Sequence, residues 1–181
     1  MRAKSEGKIY FADSVHPRHN SIISYGWIKK GEDFEVPSNT GRYQLNINGA
    51  IDIESMEIVT RTCEWVDADS ICELLRALRA KNLSGEMIYL VMDNARYNRS
   101  WKVKELACDL GIELVYLPPY SPNLNPIERV WKFFKKKVLY NRYYESKAEF
   151  EEVCLKFFKY IRKYKEELSS LVTDNFEVLG T

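Results

Sequence analysis

MIYLVMDNARYNRSWKVKELACDLGIELVYLPP, residues 87–119, decides the fold. Its opening, MIYLVMD at 87–93, is apolar on both sides of the chain, the pattern of a strand buried within a parallel sheet. Residues 100–110 then read as a helix closed by Gly111, a residue suited to the left-handed turn that ends helices. IELVYL at 112–117 is a second buried strand, so the segment forms a strand–helix–strand unit with parallel strands. Upstream, Ile71, Leu74, Leu75 and Leu78 recur at helical spacing between Asp69 and Lys81, with Asp69 placed as the cap. Further back, KIYFAD (8–13), SIISYGWIKKG (21–31) and QLNINGAIDIESMEIVTRTCEWV (44–66) carry β patterning, and Leu45, Ile47, Gly49, Ile51 and Ile53 share one face. An antiparallel meander followed by parallel strands gives an α/β fold: a mixed five-stranded sheet flanked by helices. Downstream, Ser146 to about Leu171 reads as one long amphipathic helix.

Composition narrows the function classes. The 181 residues suit one good-sized domain, and 45% hydrophobic content rules out a disordered tail. With 27 Lys+Arg against 26 Asp+Glu the net charge is +1, so overall charge selects no partner. No apolar run approaches the ~20 residues of a membrane helix, and MRAKSEGK at the start has no signal-peptide core. The expected location is therefore the cytoplasm. Cys63, Cys72, Cys108 and Cys154 are widely spread without a C-x-x-C pair, which points to reduced, mostly buried thiols rather than disulfides or zinc.

Two of the apolar strands end in an aspartate, Asp13 and Asp93. If the strands are parallel neighbours, both carboxylates stand at the carboxyl edge, where open α/β sheets bind ligands. Each alternatively caps its own following loop. PPYSPNLNPIERVWKFF at 118–134 then breaks from a Pro-rich loop into a helix, with Asn125 as a natural N-cap and Pro126 at the first helical position. Glu128 falls at the capping-box position, and the same geometry aims its carboxylate out of the first helical turn. Three converging carboxylates suit phosphoryl transfer with two divalent ions, which needs no Ser, Cys or His nucleophile. His16 and His19, in the polar loop after Asp13, are expected to face solvent or DNA.

VMDNARYNRS at 91–100 and LPPYSPNLNPIERVWKFFKKKV at 117–138 resemble the catalytic domain of DDE transposases, in the bacterial insertion-sequence branch of the mariner superfamily. YFADSVHP at 10–17 resembles that family's first catalytic strand and SYGWIKKG at 24–31 its next one. The 34 residues between Asp93 and Glu128 fit the family's nearly fixed interval. The resemblance implies a ribonuclease-H-like fold and metal-dependent DNA cleavage and strand transfer. Asp13, Asp93 and Glu128 would be the catalytic, metal-binding carboxylates, with two Mg²⁺ ions, or Mn²⁺ as substitute. Asn94 follows the second aspartate as in the family and supports the site. Asn98 stands where the family commonly has histidine, a departure outside the acidic trio, and is counted with the site support.

The same resemblance implies double-stranded DNA, both element ends and target, as partner, with at least a homodimer in the active complex. RVWKFFKKKVLYNR at 129–142 carries six basic residues and no acid. Its aromatics are expected in the core, and Arg129, Lys132, Lys135, Lys136 and Lys137 against DNA phosphates. Tyr120 and Ser121 are expected to touch a strand beside the metals. Full-length relatives carry N-terminal helix-turn-helix modules, whereas only twelve residues precede Asp13. The expectation is a single catalytic domain over 1–181, acting in the bacterial cytoplasm at the nucleoid, with end recognition supplied by a separate subunit or reading frame. The alternatives are a non-catalytic DNA-binding remnant and a stand-alone structure-selective nuclease of the same fold.

Overall fold

The computed structural model describes residues 7–24, 30, 35–38, 43–83, 85–119 and 121–173. Five strands form one mixed sheet in the order β3-β2-β1-β4-β5: β1 (Gly7–Val15), β2 (Asn46–Asp52), β3 (Glu57–Cys63), β4 (Met87–Met92) and β5 (Ile112–Tyr116). β1 to β3 are an antiparallel meander, while β4 runs parallel to β1 and β5 parallel to β4. This is the expected α/β architecture, and the topology is ribonuclease-H-like.

Helices cover both faces. α1 (Ala68–Lys81) and α2 (Trp101–Asp109) lie on the side of Tyr10, Ala12, Ile88 and Leu90, which join Leu74, Leu75, Leu78 and Val103 in one core. α3 (Ile127–Phe134), α4 (Lys147–Lys159) and α5 (Lys165–Thr173) supply the second core around Ile47, Ile51, Trp131, Phe134 and Phe150. β2 is buried along nearly its whole length because both cores press on it. Asp13 alternates with Ala12, so it shares the face of Phe11 and Val15 and points towards α3.

Several local expectations change. Most of SIISYGWIKKG lies outside the described residues; within its described part, Ile22 makes a single parallel bridge to Tyr140. Asp69 is not the α1 cap. Asp67 is, because its carboxylate accepts from the Ser70 N–H while Ser70 Oγ accepts from the Asp67 N–H; Asp69, two residues further in, pairs with Lys102 of α2 instead. Ser100 and Gly111 bound α2 as read, Gly111 with φ 62°. β5 is the sheet edge and is buried on one face only, leaving Glu113 and Val115 exposed. The tail is not one helix. It breaks at Tyr160 into α4, a 3-10 turn (Ile161–Tyr164) and α5. The break keeps Leu168 and Val172 of α5 buried against the second core, with Phe157 stacked on Tyr164 across it. Cys72 and Cys154 are buried as expected, Cys63 is half-buried and Cys108 is exposed; all four are free thiols.

Candidate metal centre at the carboxyl edge of the sheet

Parallel pairing sets the site. β1 and β4 match Phe11 with Val91, and the same register two residues on sets Asp13 beside Asp93. β5 runs alongside, with Met92 paired to Tyr116, and its chain leaves from the same edge. The Leu117 N–H donates to Met92 O (2.9 Å), which ties the start of the Pro-rich loop to the end of β4. That loop passes through a 3-10 turn (Pro122–Leu124) and enters α3, whose first turn carries Glu128. Asp13, Asp93 and Glu128 consequently line one open pocket of about 510 Å³, together with Asn94, Arg99, Ser121 and Asn125. A larger groove of about 880 Å³ between β3, α1 and α4 has one carboxylate, Glu152, in its lining. Size does not mark the chemistry here.

Each carboxylate is held differently. Trp131 Nε1 donates to Asp13 Oδ2 (3.0 Å) from the buried face of α3. Room for that indole comes from Gly49, the partner of Asp13 in the β1–β2 ladder: a Cβ there would stand 2.5 Å from Trp131 Cη2. Asp93 Oδ1 accepts from Asn98 Nδ2 (2.6 Å) and from the Ala95 N–H (3.1 Å), so one oxygen is anchored and the carboxyl plane is set. Asn98 is itself fixed, since its carbonyl accepts from Tyr116 Oη (2.9 Å). Asn94 Nδ2 donates to Leu117 O (3.4 Å), a second tie between β4 and the loop. The Glu128 carboxylate makes no hydrogen bond or ion pair among the described residues; only its N–H is engaged, donating to Asn125 O (3.1 Å), so its capping-box role is not realised. Nor does Asn125 cap α3. It is buried and turned back to β1, where Nδ2 donates to Ala12 O (3.0 Å), and Pro126 takes the cap position.

The carboxylates sense one another. Burial pushes the Asp13 carboxyl up to about 7, and the negative charges of Glu128 and then Asp93 push the same way. The Ser14 and Trp131 hydrogen bonds to Asp13 oppose the rise without cancelling it. Burial first, and then Asp93 and Asp13, also raise the Tyr97 phenol. Burial is the main cause of that rise, and the two neighbouring carboxylates add negative charge and acceptor oxygen to the same pocket.

An oxygen-rich pocket of this kind suits a hard divalent cation. Two buried amide oxygens beside the carboxylates, Asn98 Oδ1 and Asn125 Oδ1, also have no hydrogen-bond partner among the described residues. In the same set, no three His, Cys, Asp or Glu side chains close around a single point.

A family model described as DDE superfamily endonuclease matches residues 8–151. The chain belongs to that family. A protein of Sinorhizobium fredii named uncharacterized protein y4pE/y4sA is 30% identical over 90 residues, covering 50% of this chain and 64% of the relative. The insertion element IS630 uncharacterized 39 kDa protein of Shigella sonnei is 26% identical over 135 residues, covering 71% of this chain and 38% of the relative. The chain therefore spans 64% of the first relative's length and 38% of the second's, under two thirds of each. Among solved structures, the Mos1 transposase paired-end complex with left transposon end superposes with TM-score 0.65 at 17% identity, covering 93% of this chain and 55% of that one. The catalytic domain of Mos1 mariner transposase gives TM-score 0.60 at 15% identity, covering 93% and 82%. The DDE endonuclease fold is thus that of a transposase catalytic domain.

The expected DNA-contact residues divide. Ser121 lines the carboxylate pocket, and Tyr120 lies outside the described residues. Lys132 and Lys136 are exposed, while Trp131, Phe133 and Phe134 are buried as expected. Lys135 begins a π turn (Lys135–Leu139) and is half-buried. Arg129 and Lys137 serve the fold: Arg129 donates to the Leu171 and Val172 carbonyls at the end of α5, and Lys137 pairs with Glu167 (2.8 Å) over the Phe133 and Tyr164 rings. Of the histidines, His16 is exposed, but His19 is buried against Phe150 with its ring nitrogen on Tyr144 O, because it ties the loop after β1 to the helical layer. Sequence reading missed Arg99, the cationic residue lining the pocket, and missed Trp131 as a partner of Asp13. The dense basic run at 129–142 drew attention from the first, and 118 positions of separation hid the second.

Among the described residues no helix is long and apolar enough to cross a membrane.

Proposed function

We propose that the chain is the catalytic domain of an insertion-sequence transposase, cutting and rejoining DNA strands at a site formed by Asp13, Asp93 and Glu128. The observation that carries this reading is the meeting of those three carboxylates in one pocket at the carboxyl edge of the sheet. Mg²⁺ or Mn²⁺, bound as a pair, would activate the attacking oxygen and neutralise charge on the leaving one. Two of the Mos1 paired-end structures are described as containing Mn and Mg.

The chain's own residues supply placement. Trp131 keeps the Asp13 carboxylate at the α3 side of the pocket, and Asn98 leaves the second oxygen of Asp93 free to face it. Glu128, without an internal partner among the described residues, closes the third side. Arg99 brings a guanidinium to the same lining, positioned for a phosphate oxygen. No side chain is needed as nucleophile: water attacks first to free a 3′-hydroxyl, and that hydroxyl attacks the target phosphodiester in line, displacing a 3′-oxygen. The partners are double-stranded DNA and a second copy of the chain, with recognition of the element ends supplied outside this domain, in the bacterial cytoplasm.

Asp93→Asn keeps the side-chain shape and the turn after β4, so its melting temperature should match wild type while Mg²⁺-dependent nicking of element-end DNA falls by at least about 100-fold. Nicking at the wild-type rate by the folded variant would refute the assignment. Nicks without joined products would favour a stand-alone nuclease, and the absence of both in wild type a DNA-binding remnant.

A further inference from the structure

Asn125 has one amide end accounted for. Its Nδ2 donates to Ala12 O at 3.0 Å, and the residue is 4% exposed. The other end, Oδ1, has no partner among the described residues. The Ala12 contact settles which atom is which, since a flipped amide would set two acceptor oxygens against each other. A buried acceptor left unpaired is costly and rare in folded proteins. Something in the working molecule is therefore expected to satisfy it.

The surroundings say what. Asn125 lines the same pocket as Asp13, Asp93 and Glu128, where acceptor oxygens outnumber donors. It also spans two of the acids: Nδ2 holds the carbonyl of Ala12, next to Asp13, and its main-chain carbonyl accepts from the Glu128 N–H (3.1 Å). A neutral amide oxygen would add a ligand to the three acids without adding negative charge. Asn98 differs, because its own orphan oxygen belongs with the small cavity behind Asp93 rather than the open pocket.

We infer that Asn125 Oδ1 is a fourth oxygen donor of the divalent-cation site, facing the ion or a water bound to it. The inference rests on the proposed metal-dependent function and adds a neutral donor to its three acids.

Calorimetric titration of the full chain with Mn²⁺ at pH 8, with and without an element-end oligonucleotide, tests it beside melts in EDTA. Asn125→Ala should weaken Mn²⁺ binding by about tenfold or more and remain folded in EDTA. Should that variant fail to fold, Asn125→Ser, which shortens the side chain and withdraws the oxygen, should show the same loss. A folded Asn125→Ala or Asn125→Ser that binds Mn²⁺ like wild type, while Asp93→Asn does not, overturns this inference alone. Wild type that takes up no Mn²⁺ under either condition overturns the functional reading with it.

Discussion

Asp13 bears the heaviest physical constraint in the site. Its folded carboxyl is raised to about 7 from 3.8, so the stability it contributes is full below about pH 3.8 and is lost as pH rises through 7. Replacing it by Asn removes that loss. Asp13→Asn should therefore melt higher than wild type at pH 8, with the gap closing towards pH 4. At about 1.4 kcal/mol per pH unit the gap is at most about 4 kcal/mol, and less with water in the pocket. Because a cation favours the ionised carboxylate, Mg²⁺ should raise the wild-type melting temperature more at pH 8 than at pH 5.5; equal shifts would count against Asp13 as a ligand. Trp131→Phe deletes the indole N–H but keeps most of the packing. It should cost about 1 kcal/mol of stability and lower cleavage more than stability, read by comparing melts with nicking rates. Gly49→Ala forces a methyl onto the indole and should cost about 1–3 kcal/mol. The acids themselves were legible in the sequence because each ends an apolar run or opens a helix. Of their holders, Asn98 was indicated by the family resemblance; the others were not: a glycine in a strand, a tryptophan at helical spacing and a capping asparagine all have ordinary uses, and three-dimensional contact alone separates these from the roles they take.

Among the elements, α3 and its π extension divide work that the sequence presents as one basic stretch. The apolar stripe of Trp131, Phe133, Phe134 and Val138 is core, and Phe134→Ala should cost about 3–5 kcal/mol. On the other stripe, Arg129 and Lys137 are spent on α5, whereas Lys132 and Lys136 are exposed. Arg129→Ala should thus lower the melting temperature while changing the salt dependence of DNA binding little. The double replacement of Lys132 and Lys136 by Ala should do the reverse, reducing the slope of log affinity against log salt by about two; the opposite pattern would return Arg129 to the DNA surface. Net local charge was readable from the sequence, but which charges are consumed internally depends on where the tail helix bends. That bend at Tyr160 carries no Pro or Gly to announce it.

For the molecule as a whole, hydrophobic periodicity reached the mixed sheet because parallel pairing follows from two apolar runs joined by a helix, and β1 joins them with its aspartate in register. Most of the second β-prone piece lies outside the described residues; of its described part, Ile22 forms a single parallel bridge to Tyr140, and β2 pairs beside β1. Everything functional rests on the register that brings Asp13 beside Asp93 and on the loop that returns Glu128 to them. The most direct measurement is an anomalous difference map from a crystal of the chain grown with element-end DNA and soaked in Mn²⁺. Manganese is expected within about 2.0–2.3 Å of carboxylate oxygens from Asp93 and at least one of Asp13 and Glu128. Manganese bound elsewhere, with these three side chains bare, would contradict it.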